Sequence, residues 1–201
     1  MKRTFIFATV LAVCAGPALA DKIDQLQNAS QAEFRLLSED LGAALSYKPL
    51  APAEPLGVTG FDIGIAVTAT ELEHSSVLEK VTSSSAFSTA IVPSLHLSKG
   101  LPFGIDVGAI YTQVPKIDVS LWGLHVKYAI LDGSLATPAL AVRGSYTRVS
   151  GIDQLDFDTK GLDISLSKGL ANLTPYVGVG TVWVTSKPKN AGTLTEEKFN
   201  Q

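Results

Sequence analysis

Phe103-Gly-Ile-Asp-Val-Gly-Ala-Ile-Tyr111 alternates apolar and small or polar residues. Phe103, Ile105, Val107, Ala109 and Tyr111 fall on one side of an extended chain, and Gly104, Asp106 and Gly108 fall on the other. The same period-2 pattern recurs from about Phe61 to Trp183, broken by turn residues. It predicts seven strands of roughly ten residues, at 60–72, 87–98, 103–113, 117–130, 136–148, 157–167 and 174–185. So many neighbouring antiparallel strands predict an all-β fold, an up-and-down barrel. In 87–98, Pro93 cannot donate to a ladder and implies a bulge or a shifted start.

The connections sort into two sets. Ser98-Lys-Gly-Leu-Pro102, Leu131-Asp-Gly-Ser134 and Ser167-Lys-Gly-Leu-Ala-Asn172 read as tight turns at one end of the sheet. Glu71 to Ala86, Val149 to Asp156 and the tail after Thr185 read as longer polar loops at the other end, where Gln113-Val-Pro-Lys116 is short. A small repeat supports this phasing: Leu95-His-Leu-Ser-Lys-Gly-Leu101 and Ile164-Ser-Leu-Ser-Lys-Gly-Leu170 place one Ser-Lys-Gly-Leu turn after two strands of the same direction, with its Gly expected at positive φ. Aromatic residues gather at both ends: Phe61, Phe103, Tyr128 and Tyr176 near the tight turns, and Phe87, Tyr111, Trp122, Tyr146, Phe157 and Trp183 near the long loops. Tyr176 and Trp183 have opposite parity, so one points inward unless a bulge intervenes.

Before the strands lie two segments of another kind. Residues 1–20 read as an export signal, with Lys2 and Arg3, an apolar run from Phe5 to Val13, and an Ala18-Leu19-Ala20 cleavage site. Cys14, the one cysteine, lies inside it, and Val13 spoils a lipoprotein box. The mature chain, from Asp21, therefore lacks disulfides and thiolate metal sites. It keeps 14 of the 16 basic residues against 19 acidic ones, a net charge of −5, which argues against nucleic-acid binding. Residues 21–55 form the second segment. Ile23, Leu26, Phe34, Leu37, Leu41 and Leu45 have helical spacing, and Tyr47 to Pro55 carries three prolines that make an extended connector. The helix is assigned to the periplasmic side, where it could plug the lumen, lie on the rim or bind a partner. Residues 56–201 make the barrel domain.

From Gly60 to Thr185 this alternation, turn asymmetry and aromatic placement resemble bacterial outer-membrane β-barrel proteins as a class. Leu36-Leu-Ser-Glu-Asp-Leu-Gly-Ala-Ala-Leu-Ser-Tyr-Lys48 with Pro52-Ala-Glu-Pro-Leu-Gly57 resembles proteobacterial exported proteins that carry no assigned activity. The class resemblance implies a transmembrane barrel of about eight or more strands in a Gram-negative outer membrane. Its partners would be outer-membrane lipids, lipopolysaccharide and the outer-membrane assembly machinery. Its role would be structural, or passive porin-like transport of small molecules. Seven strands are odd where single-chain bacterial barrels are even, and Glu196-Glu-Lys-Phe-Asn-Gln201 is not the usual aromatic-ended strand. The expectation is a chain cut within its outer loop, with the closing strand missing.

Charged and polar residues inside the strands are few. Asp62, Asp106, His125, Lys127, Arg143 and Asp163 alternate with apolar neighbours such as Ile63, Val107, Val126, Val142 and Ile164, so their parity assigns them to the lumen. Ion pairing that fills a narrow barrel explains them best; a polar pathway or small-ligand site is the sharper alternative. His96-Leu97-Ser98 invites comparison with lipid A deacylases, but the repeat accounts for Ser98 and no orienting carboxylate is evident, which disfavours a lipid-modifying enzyme. Asp153, Asp156 and Asp158 have oxygen ligands for calcium without an EF-hand spacing. Asn28-Ala-Ser30 and Asn172-Leu-Thr174 are weak glycosylation matches. No cofactor motif appears. Because an apolar face can turn either to lipid or to a core, a soluble periplasmic barrel holding a hydrophobic ligand is the alternative reading.

Overall fold

A computed structural model describes residues 23, 25–82, 88–114, 119–134, 136–170, 173–189 and 192–201. The export segment with Cys14, Phe87, Lys116 and Asn172 lie outside the described residues. The strands are β1 (Phe61–Glu71), β2 (Thr89–Gly100), β3 (Ile105–Val114), β4 (Val119–Asp132), β5 (Ala139–Ser150), β6 (Leu155–Ser167), β7 (Tyr176–Pro188) and β8 (Glu197–Asn200). All pair antiparallel with their sequence neighbours in one eight-stranded sheet. The tail expected to be loop therefore contains a short eighth strand. It pairs with Trp183 to Ser186 only, and Gln201 continues the ladder by exchanging backbone bonds with Val182. β1 and β8 are not paired, so the sheet is not closed.

Inside its curl lies the N-terminal segment. Helix α1 (Gln31–Leu45) begins with a capping box, in which the Ser30 hydroxyl accepts from the Glu33 N–H and the Glu33 carboxylate accepts from the Ser30 N–H. Phe34, Leu37, Leu41 and Leu45 then recur on one face and are buried. α1 touches β1, β2 and β7, elements at both ends of the strand order, which requires the sheet to wrap around it. Its core partners include Val92, Ile110, Leu121, Val149, Phe157 and Val184, from six different strands. A second short helix, α2 (Ser75–Val81), lies in the β1–β2 connection and packs Val77, Leu78 and Val81 into the same cluster. Asp40 of α1 accepts from the backbone N–H groups of Glu73 and His74, which fixes the start of α2. After Ser46 turns extended, the proline-rich connector runs through the interior toward the tight-turn end and enters β1.

Several local expectations change. Pro93 causes neither a bulge nor a slip, and stays in register opposite Val67. Its carbonyl accepts from Thr112 Oγ1 on the β3 side, so its missing N–H also faces β3, beyond Leu95, where the β2–β3 ladder begins. The strand starts at Thr89, and the ladder irregularity falls instead at Ala129/Leu131 between β4 and β5. The repeated turn glycines, Gly100 and Gly169, do not have positive φ. Gly100 still ends β2, and a Cβ there would meet the Gly57 carbonyl oxygen at 2.0 Å, so close backbone approach is its requirement. In the turn after β2 the left-handed positions are Phe103 and Gly104. Phe103 thus leaves the alternation that it opens, and stands 90% exposed on a turn. Phe157, expected at a rim, faces inward and is buried against the α1 cluster. Tyr176 has the inward parity but sits at the mouth of the sheet, exposed, with no bulge between it and Trp183. The loop expected at Val149 to Asp156 shrinks to 151–154 because β5 and β6 run longer, so the long-loop end owes its length chiefly to the β1–β2 connection.

Candidate functional site

The register puts four of the six lumen candidates on a single row. Asp106 faces Lys127 across β3–β4, Lys127 faces Arg143 across β4–β5, and Arg143 faces Asp163 across β5–β6. His125 lies on the adjacent row, which begins at Asp62 and passes through Ser98 and Gly108. A Cβ on Gly108 would come within 2.2 Å of the His125 ring, so the glycine is what lets the imidazole lie over β3. All six side chains share the inward parity, and four are buried. Asp62 is exposed because β1 is an open edge, and Asp163 is half-buried.

One ion pair forms within the row, between Lys127 Nζ and Asp106 Oδ2 at 2.9 Å, with Asp106 1% and Lys127 3% exposed. The connector completes both groups. Lys127 donates to the carbonyls of Pro52 at 2.9 Å and Glu54 at 2.8 Å, and Asp106 accepts from the Leu56 N–H at 3.1 and 3.2 Å. Arg143 donates from Nη2 to the Ala51 carbonyl at 3.2 Å, and the Ser167 hydroxyl accepts from the Ala53 N–H. A polar interior layer therefore holds an extended peptide that has no ladder of its own. The prolines suit it, since they withhold N–H groups that this layer would otherwise have to satisfy.

Pairing is incomplete on the other half of the row. Arg143 Nε and Nη1, Asp163 Oδ1, His125 Nδ1 and Ser165 Oγ are buried without a hydrogen-bond partner. Arg143 and Asp163 are opposite in register yet face different spaces. Arg143, His125 and Lys127 line a cavity of about 230 Å³ beside the connector; Asp163 lines a second, also about 230 Å³, with Tyr47, Lys48 and Ser145. Tyr47 stands among them, its ring 5.0 Å from that of His125, 6.3 Å from that of His96, and 5.8 Å from the Arg143 guanidinium.

Sequence reading by charge overlooked the uncharged members of this layer. Tyr47, Ser167 and the Thr147–Thr159 pair, whose hydroxyls meet at 2.7 Å, all contribute. Thr147 also donates to the Leu45 carbonyl at the end of α1, and parity with Arg143 and Asp163 was the signal that marked it and Thr159. His96 bonds to Ser94, at 2.8 Å, and both it and Ser98 have inward parity, away from the exposed Leu95 and Leu97. Asp156 pairs with Lys189, and Asp158 accepts from the Tyr146 hydroxyl. Among the described residues no group of three His, Cys, Asp or Glu is arranged to hold a metal ion.

The chain matches no protein-family model, no curated protein and no solved structure. The fold is of the all-β class: an eight-stranded antiparallel sheet curled around its own N-terminal helix and connector.

Proposed function

We propose that the protein is an outer-membrane β-barrel of structural kind, seated in lipid and filled by its own N-terminal segment. The observation that carries this reading is the inverted polarity of the sheet. Ile63, Ile65 and Val67 on β1, Leu95 and Leu97 on β2, Leu124, Val126 and Tyr128 on β4, Leu162, Ile164 and Leu166 on β6, and Val177 and Val179 on β7 are all exposed. The charged row is turned inward instead. A soluble monomer rarely shows a contiguous apolar patch beyond a few hundred Å², whereas this belt crosses most of the sheet. Charges on the outer face keep to the tight-turn end, as Lys99, or to the long-loop half, as Glu71, Arg148, Asp158 and Lys160. Exposed Phe61, Phe103 and Tyr128 toward one end, and Tyr111, Trp122 and Trp183 toward the other, suit the two headgroup levels.

A soluble barrel with a hydrophobic ligand would need the apolar face inside. Passive transport is less well supported than a structural role, because α1 fills the long-loop half of the interior and the connector crosses the rest. On this reading the tight turns face the periplasm, and the partners are outer-membrane lipid, lipopolysaccharide and the assembly machinery. Cell-envelope fractionation tests it. The protein should stay with outer membranes after carbonate extraction and migrate faster on gels unheated than heated; recovery in the soluble periplasm would refute it.

A further inference from the structure

The cavity beside the connector contains one buried charge, that of Arg143, that forms no salt bridge among the described residues and faces Asp163 across the sheet. Arg143 is 1% exposed, and two of its three guanidinium nitrogens make no hydrogen bond of normal geometry, with the Tyr47 side chain the nearest polar neighbour on that side. A buried cation in that state is costly unless something else supplies acceptors. None of the carboxylates near it reaches it as an ion pair. Asp106 is neutralised by Lys127 and the Leu56 N–H. The Glu54 carboxylate turns toward Gly169, 3.1 Å from where a Cβ would stand there. Asp62 lines the same cavity but is exposed, so solvent screens it, and Asp163 lines the other cavity, opposite Arg143 in register. Lys127 has no donor to spare, since its three protons serve Pro52, Glu54 and Asp106. Among the described residues lining the space, His125 Nδ1 is the other fully buried polar atom without a partner, and in the tautomer protonated there it donates.

We propose that this cavity binds a small oxyanion, a carboxylate or a phosphate, with Arg143 as the cation that holds it and His125 Nδ1–H as a second donor. A space of about 230 Å³ admits such an ion with its nearest waters. The site does not depend on where the sheet resides, and its test is made in detergent solution at constant chloride concentration. The full-length protein is titrated with sodium acetate in one series and inorganic phosphate in another, and the arginine Nε–H and histidine ring signals are followed by NMR. A saturable shift in either series is expected, and the series that saturates identifies the ion class. Arg143→Met should weaken that binding roughly ten- to a hundredfold, the loss of a charged hydrogen bond. Asp163→Asn, which removes the nearest uncompensated carboxylate on the row, should strengthen it. Linear, non-saturating shifts in both series would overturn the site using the unmodified protein alone, and undiminished binding by a folded Arg143→Met variant would overturn the role of Arg143.

Discussion

Lys127 illustrates how a charge is kept inside this molecule. Its ammonium group has three N–H donors, which meet three acceptors: two connector carbonyls and the Asp106 carboxylate. Such a pair adds little over an apolar equivalent, yet breaking it leaves a bare buried charge. Asp106→Asn should therefore destabilise the protein by about 3–5 kcal/mol in denaturant unfolding. The double variant Asp106→Asn/Lys127→Met should recover much of that loss, because no unpaired charge remains. If the two single losses simply add in the double variant, the coupling is absent. Parity made this pair legible in the sequence. It did not reveal that Arg143 and Asp163, equally well placed in register, turn to separate cavities, since that depends on Tyr47 and the connector, which come from far away in the chain.

Among the elements, α1 has the most visible local code. Ser30 and Glu33 begin it, and the Ser30 backbone N–H, followed by Lys80 and the Ser30 hydroxyl, lowers the Glu33 pKa from its usual 4.5 to about 2. The folded value is depressed, so the stabilisation is complete above pH 4.5 and is lost as pH falls from there toward 2. Glu33→Gln should accordingly be less stable than the wild type at neutral pH, by a modest amount because the group is solvent-screened. The difference should shrink through that acid window; a difference independent of pH would exclude the carboxylate as its source. The strands were legible for a related reason: period-2 alternation marks them whatever their partners, and β4 alternates in burial from Leu121 to Ile130 without a break. β8 was missed because four residues, Glu-Lys-Phe-Asn, are too few to display a period. The placement of α1 was also not readable, since an amphipathic helix buries its apolar face equally well against a rim, a lumen or a partner.

At the scale of the whole molecule, polarity is layered from the centre outward. An amphipathic helix and a polar peptide-holding layer are wrapped by a sheet whose outer face is apolar. In water the outermost layer would be a liability; in lipid it is the solvated surface. Single cysteines from Leu121 to Ile130, with Cys14 replaced, test this directly when spin-labelled and reconstituted into lipid vesicles. We predict that Trp122, Leu124, Val126, Tyr128 and Ile130 are accessible to oxygen and shielded from a water-soluble nickel complex, alternating with the positions between them. Outer-face positions open to the nickel complex would contradict a lipid-facing sheet.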